Sequence, residues 1–131
     1  MKILGIGVDI IQNKRLKNLI FNKTFLSRTF SKNEIKISKN ILSKTNYFSK
    51  RFAAKEAFAK SIGTGFRDNL NFKDIEILND KKGKPFYFKS KKIDTIIKKN
   101  LKLKIIICFF QFLMKKIIQL LLQLYKQSND K

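Results

Sequence analysis

The chain has 131 residues, which suffices for one domain with a single hydrophobic core but not for two. Hydrophobic residues make up 44% of it, which excludes a disordered chain, and the single cysteine, Cys108, excludes an internal disulfide and a cysteine-cluster zinc site. The formal net charge of +21 favours attraction to polyanions, although Lys, Asn, Ile and Phe all have A/T-rich codons and coding bias is an alternative explanation.

Residues 3–11, ILGIGVDII, are predicted to form a strand, because they are apolar or glycine and rich in Ile and Val. Alternation along a strand puts Asp9 on the same side as Gly5 and Gly7, where two glycines would leave open space for a ligand. A carboxylate in an apolar strand is costly to bury unless it is paired or binds a metal; alternatively, the strand ends near Asp9 and the acid faces water. The same acid interrupts any signal-peptide core, so we expect a cytoplasmic protein.

Three helices are predicted next. Residues 12–23 have the spacing of an amphipathic helix. Ser31 followed by Glu34 has the spacing of a capping box, so a second short helix should begin near Ser31. Residues 47–62 form an alanine-rich helical pattern that stops at the Gly-Thr-Gly of residues 63–65.

A hairpin and a short helix complete the predicted domain. Residues 72–78 alternate as a half-buried strand does, 79–85 are dense in turn-forming residues, and 86–88 resume a strand. Residues 93–99 indicate a short helix. The order of elements predicts an α+β fold: a single small domain over residues 1–104, with an antiparallel sheet packed on a long helix.

Glu56 and Lys60 lie four residues apart in the alanine-rich helix and therefore share one face. An exposed ion pair of about 0.3–0.5 kcal/mol is one interpretation of this spacing. The flanking Ala and Phe residues indicate instead that the helix is largely buried. A carboxylate with an ammonium group on one face is what a magnesium–pyrophosphate site needs, because the acid holds the metal and the lysine neutralises phosphate oxygens.

Several of these motifs share their order and spacing, from residue 1 to about residue 90, with one family. They are Gly5 to Ile10, Arg15, Arg51 to Ala57 with Lys60, Gly63-Thr64-Gly65, and Asp80 with Gly83-Lys84-Pro85. The ordered set closely resembles the holo-(acyl-carrier-protein) synthases of the phosphopantetheinyl transferase superfamily. One departure is minor: Gln12 stands where that family commonly has Glu.

The resemblance implies an enzyme that moves 4′-phosphopantetheine from coenzyme A to a serine of acyl carrier protein. It implies that Asp9 and Glu56 bind Mg²⁺ and that Lys60 contacts the coenzyme A pyrophosphate. The serine, deprotonated by Glu56 or by a water at the metal, would attack the β-phosphate. Adenosine 3′,5′-bisphosphate would leave while Lys60 balances its charge, so Glu56 and Lys60 are the expected catalytic residues.

The resemblance also implies the remaining contacts. Coenzyme A is expected to meet Arg51, Lys60, Gly63, Thr64, Gly65, Lys84 and Pro85. Arg15, on the first helix, is expected to meet the acidic carrier protein. A homotrimer with active sites between subunits is implied, with neither nucleic acid nor membrane as a partner.

A small basic nucleic-acid-binding protein is the alternative, and it would account for the charge and for the Phe content. It gives no reason for Asp9 or for the face shared by Glu56 and Lys60. No nucleic-acid-binding motif is visible in the sequence.

The segment 105–131 departs from the family, which ends on a strand with Ser-His-Glu, whereas this chain contains no histidine. Three interpretations are open: a basic amphipathic helix on a membrane or partner, a membrane span interrupted by Lys115 and Lys116, or a shifted reading frame from about Leu103. We favour the third. Read from the third base of the Gln111 codon to the second base of the Gln119 codon, the coding sequence permits Val-Ser-His-Glu-Lys-Asn-Tyr-Thr.

On that interpretation the product as written has an open sheet edge and an exposed apolar tail, both of which favour aggregation. We therefore predict that it is poorly soluble and nearly inactive, and that a version with the shifted-frame Ser-His-Glu ending is soluble and active. Side-by-side expression with a mass-shift assay on acyl carrier protein tests this. A soluble, trimeric and fully active product as written would exclude the shifted frame.

Overall fold

The computed structural model describes residues 5–67 and 69–101. Within them, α-helices alternate with two 3-10 helices and a two-stranded antiparallel sheet. The helices are α1 (Asn13–Lys17), α2 (Lys23–Thr29), α3 (Lys32–Ser38), α4 (Lys44–Ser61) and α5 (Lys91–Leu101); the 3-10 helices are Leu19–Phe21 and Phe72–Asp74; the strands are β1 (Ile77–Asn79) and β2 (Pro85–Tyr87). The predicted α+β class is confirmed.

The N-terminal strand prediction is wrong for the part that the structure describes. Residues 5–12 form neither helix nor strand. The backbone of Gly5 and Gly7 lies against helix α4, and a helix cannot offer strand partners because its own N–H and C=O groups are already bonded. The predicted helix over 12–23 is also shorter than expected, since α1 ends at Lys17.

The capping box is confirmed at the start of α3. The Ser31 hydroxyl accepts a hydrogen bond from the Glu34 N–H at 3.1 Å, and the Glu34 carboxylate accepts one from the Ser31 N–H at 2.8 Å. Ser31 and Glu34 thus each accept a hydrogen bond from a backbone N–H group that the start of a helix leaves without a partner. The Ser31 hydroxyl also donates to Oε1 of Glu76, which lies just before β1.

Helix α4 is the long central element, and one apolar cluster packs against each of its two halves. Around its N-terminal half, Phe48 and Tyr47 pack with residues of α1 and α2, and around its C-terminal half Phe58 packs with α5. The two clusters are Leu16, Ile20, Phe30, Tyr47 and Phe48, and Phe58, Ile62, Leu70, Ile75, Ile93, Ile96 and Ile97.

The hairpin is confirmed, although β1 is shorter than predicted. Residues 72–74 form a 3-10 helix, closed by Asn71 and Asp74, so the strand begins only at Ile77. Ile77 pairs with Tyr87 across the ladder, and the Tyr87 hydroxyl donates to the carbonyl of Ala54 at 2.8 Å. The sheet therefore packs on α4, as predicted.

A buried ion pair joins α3, α4 and the segment before β1. Neither Lys55 nor Glu34 has exposed side-chain surface, and Lys55 Nζ lies 2.8 Å from Glu34 Oε2. Lys55 Nζ also donates to the carbonyls of Phe72, at 3.0 Å, and Ile75. Glu34 Oε1 accepts from the Ile77 N–H at 3.2 Å. Burial lowers the pKa of Lys55, and the Glu34 carboxylate opposes that effect.

The tail from residue 105 lies outside the described residues, so its three interpretations and the domain boundary at 104 stay predictions. None of the helices within residues 5–67 and 69–101 is both long enough and apolar enough to cross a membrane.

The buried pair generates a prediction about stability. Lys55→Met or Glu34→Gln should each lower the free energy of unfolding by about 3–5 kcal/mol, because each leaves the partner charged or polar and unpaired in the interior. The double variant should lose less than the two single losses added together. Urea unfolding measures all three.

The control is another lysine–carboxylate pair, Asp94–Lys98, which is an i,i+4 pair within α5 and is more exposed. Lys98→Met should cost no more than about 0.5 kcal/mol, because the Lys98 side chain is 43% exposed to solvent. Equal losses in Lys55→Met and Lys98→Met would contradict the structural role of the buried pair.

Candidate active site

A cavity of about 310 Å³ lies between the N-terminal segment, the first two helices and α4. Two acids and one base contribute charge to its wall, and the other lining side chains are apolar. The charged residues are Asp9, Glu56 and Arg15, and the apolar ones are Ile10, Ile11, Leu16, Leu19, Phe25 and Phe52. Polar groups at one edge of an apolar concave surface are the usual composition of a ligand site.

Asp9 reaches this cavity because two glycines let its segment lie directly on α4. A Cβ atom on Gly7 would stand 1.8 Å from the carbonyl oxygen of Ala57, and one on Gly5 would stand 1.9 Å from that of Ser61. The expectation that these glycines leave open space for a ligand is therefore wrong, since the helix backbone fills that space. The glycines place the segment instead.

Asp9 is paired rather than solvated alone. Lys60 Nζ lies 2.6 Å from Asp9 Oδ1 and 3.4 Å from the carbonyl oxygen of Val8. The Asp9 side chain is 18% exposed and that of Lys60 is 53% exposed. The hydrogen bond that Lys60 donates to Asp9 raises the pKa of Lys60, which favours its charged form. Its exposed part stays accessible to a ligand.

Glu56 stands one helical turn before Lys60 on α4 and shares the cavity wall with Asp9. Burial raises the pKa of Glu56 above its usual value, and the nearby Asp9 charge raises it further, while Lys60 lowers it. The structure thus brings Asp9, Glu56 and Lys60 together from two distant parts of the sequence.

The donor set fits a magnesium ion that is shared with a phosphate ligand. Within residues 5–67 and 69–101, no cluster of three or more Asp, Glu, His or Cys side chains is placed to hold a metal. Mg²⁺ does not need one, because it commonly binds one or two carboxylates and completes its shell with waters and substrate phosphate oxygens. Asp9 and Glu56 would supply the two carboxylates, and Lys60 lies beside Asp9 as a nearby cation.

Arg51, which is expected to contact coenzyme A, is buried in the domain. Its guanidinium carbon lies 3.6 Å from the centroid of the Tyr47 ring, and its Nη2 donates to Asn79 Oδ1 at 2.7 Å. Its Nε lies 4.0 Å from Glu34 Oε1. Arg51 is 7% exposed and is not among the residues that line the cavity. Its hydrogen bond to Asn79 connects α4 to the hairpin.

The two glycine-containing turns also lie apart from the cavity wall. Gly63 and Gly65 follow α4 with φ angles of 75° and 60°, which favour glycine, and the Gly63 N–H donates to the Lys60 carbonyl. Thr64 donates within this turn, to the Gly65 carbonyl at 3.3 Å. In the hairpin turn the Asp80 carboxylate accepts from the Lys84 N–H at 2.8 Å.

Sequence reasoning missed the contribution of Glu34 and Lys55 to this site. Lys55 directly precedes Glu56, so its burial fixes the part of α4 that carries Glu56. Glu34 was identified only as a capping residue. The one available signal was a lysine among Ala and Phe, which in a buried helix requires an anionic partner.

The fold and the site together define a small α+β domain in which two carboxylates line one cavity and a lysine pairs with one of them. A family model for the 4′-phosphopantetheinyl transferase superfamily matches residues 5–106. This match covers most of the chain, which therefore belongs to that superfamily.

Within the superfamily, the chain is similar to the holo-[acyl-carrier-protein] synthases. It is 56% identical to the synthase of Pelagibacter ubique (strain HTCC1062) over 103 residues, 79% of this chain and 80% of the relative. The crystal structure of the Neisseria meningitidis synthase superposes with a TM-score of 0.69 at 38% identity, covering 75% of this chain and 80% of the other. The Bacillus anthracis synthase, solved in complex with CoA (3′,5′-ADP), gives 0.61 at 38% identity over 67% and 76%.

Proposed function

We infer that the chain transfers the 4′-phosphopantetheine group from coenzyme A to a serine of acyl carrier protein. The observation that carries this inference is that Asp9 and Glu56 line one cavity and that Lys60 contacts Asp9, in a chain whose relatives are named for that activity. Two carboxylates and one ammonium group are the charges that a divalent cation and a pyrophosphate require together.

Asp9 and Glu56 are the residues that would hold Mg²⁺. The bound ion would supply positive charge to the pyrophosphate oxygens of coenzyme A. Lys60 contacts Asp9 at 2.6 Å and is half exposed, so its ammonium group can turn from that carboxylate towards a phosphate oxygen. Lys60 would thus neutralise the charge of Asp9 before the ligand binds and the charge of the phosphate afterwards.

The transfer makes one bond and breaks one bond at the β-phosphorus. The serine oxygen bonds to phosphorus, and the bond from phosphorus to the adenosine 3′,5′-bisphosphate oxygen breaks. Glu56 would accept the serine proton, and Lys60 would balance the charge that develops on the leaving group. Phe25 and Phe52, in the cavity wall, would exclude water that could compete with the serine.

The acyl carrier protein would approach from the side of α1. Arg15 is exposed at the rim of the cavity, and Lys14 and Lys17 are exposed on the same short helix. This cluster of positive charge beside the two acids would attract an acidic carrier protein and orient its serine towards Glu56.

A homotrimer with shared sites would explain why the glycine turns lie apart from the cavity wall. Gly63-Thr64-Gly65 and Lys84-Pro85 could meet the nucleotide of coenzyme A in a site between two copies. Lys84 is exposed, and a lysine there could contact a phosphate group. Arg51 would support the site from inside the domain, since its side chain is already paired with Tyr47 and Asn79.

The metal site predicts that Asp9→Asn and Glu56→Gln each reduce transfer at least about a hundredfold, because each removes a charged ligand at the reacting phosphate. Transfer is measured by the mass shift of acyl carrier protein, in whichever of the two C-terminal versions is active. Circular dichroism should show an unchanged fold.

Asp94→Asn is the matched control, since it removes a carboxylate on α5 that does not line the cavity. It should retain transfer within about twofold, as expected for a surface substitution. Magnesium-dependent transfer that persists in Glu56→Gln would contradict the assignment.

The carrier surface predicts that Arg15→Glu slows association with acyl carrier protein more at low salt than at high salt, because exposed charges are screened. The KM for carrier protein should rise while the KM for coenzyme A stays the same. Arg28→Glu on α2, whose side chain does not line the cavity, is the control. A raised KM for coenzyme A alone would mean that the two surfaces are exchanged.

A further inference from the structure

We propose that Gly7 is a positioning residue, whose missing side chain sets the place of Asp9 relative to Glu56 and Lys60. The chemical consequence rests on the proposed function, because it is the phosphate-transfer site that needs these three side chains together. The packing itself is a property of the metal-free protein and can be tested without that function.

The contact at Gly7 leaves no room for a side chain. A Cβ atom there would stand 1.8 Å from the Ala57 oxygen, 2.7 Å from the Ser61 nitrogen and 2.8 Å from the Ala57 carbonyl carbon. All three are backbone atoms of α4, which the neighbouring Phe58 and Ala59 fix in the core. The helix therefore cannot move aside as a flexible side chain could.

Backbone conformation is not the reason for this glycine. The described glycines with positive φ are Gly63, Gly65 and Gly83, and Gly7 is not one of them. A positive φ therefore does not require glycine at residue 7, whereas contact with α4 does.

The alternation of the glycines matches the repeat of the helix. Gly5 meets Ser61 and Gly7 meets Ala57, which lie four residues apart on α4. Two extended residues span about 6.6 Å and four helical residues rise about 6 Å, so glycine at every second position meets successive turns. Asp9, two residues further along, then reaches Lys60 and the wall that contains Glu56.

A methyl group at Gly7 would have to push the segment away by at least about 1.6 Å to reach ordinary van der Waals distance. A carboxylate that binds Mg²⁺ at about 2.0–2.1 Å tolerates far less displacement than that. The expected result of Gly7→Ala is therefore a domain that still folds around α4 but whose Asp9 is misplaced.

The experiment compares Gly7→Ala with Ile6→Ala in whichever of the two full-length C-terminal versions is soluble and active. Ile6 is the adjacent residue and is 76% exposed, so its truncation alters the same segment away from α4. Binding of Mn²⁺ without substrate, followed by water-proton relaxation, should weaken about tenfold or more in Gly7→Ala and stay within about twofold in Ile6→Ala. The Mg²⁺ concentration for half-maximal transfer should rise in parallel, with partial recovery of rate at high Mg²⁺.

Unchanged Mn²⁺ affinity in a folded Gly7→Ala protein would overturn the proposal, as would an unmodified chain that binds no Mn²⁺. If Gly7→Ala does not fold, nuclear Overhauser contacts between the Gly7 α-protons and the Ser61 amide in the unmodified protein decide the matter, and their absence overturns it. If the unmodified chain binds Mn²⁺ more tightly than Gly7→Ala but transfers nothing, the proposed function fails and the positioning role stands.

Discussion

Glu34 and Lys55 form the buried ion pair on which the rest of the domain depends. Removing two charges from water costs several kcal/mol for each ion, and the attraction between them compensates only when further hydrogen bonds complete the site. Here Lys55 has two backbone carbonyls besides the carboxylate, and Glu34 has two backbone N–H groups besides the lysine. These partners come from α3, α4 and the chain leading into β1, so one pair fixes three elements relative to one another.

The position of Lys55 connects this interior to the site. Each residue of a helix turns about 100° from the last, so Lys55 can face the buried network while Glu56 faces the cavity. Lys60, one turn after Glu56, extends the same face to Asp9. Arg51, one turn before Lys55, adds a second contact between α4 and the hairpin. A helix fixed in this way can hold charged groups at a defined separation, which a metal and phosphate site requires.

The N-terminal segment completes the site from the other side, because its glycines have no side chains that would keep it away from α4. Its glycines approach the backbone of α4 so closely that Asp9 is carried to Lys60. The fixed partner is α4, and the glycine-containing segment conforms to it. Alternating glycine and apolar residues can favour a strand in a sheet, but here the glycines allow the segment to pack closely on a helix.

Features with causes a few residues apart could be predicted from the sequence: the capping box at Ser31, helix α4 and the hairpin turn that ends at Pro85. The i,i+4 spacing of Glu56 and Lys60, with the family resemblance, also identified the face of α4 on which Glu56 lines the cavity and Lys60 contacts Asp9. Only the tertiary structure decided that residues 5–12 lie on α4 rather than in a strand, that Lys55 pairs with Glu34, and that Arg51 is buried against Tyr47. Those partners are distant in sequence and come into contact only in the folded chain. Local patterns of hydrophobicity and charge are compatible with several different partners.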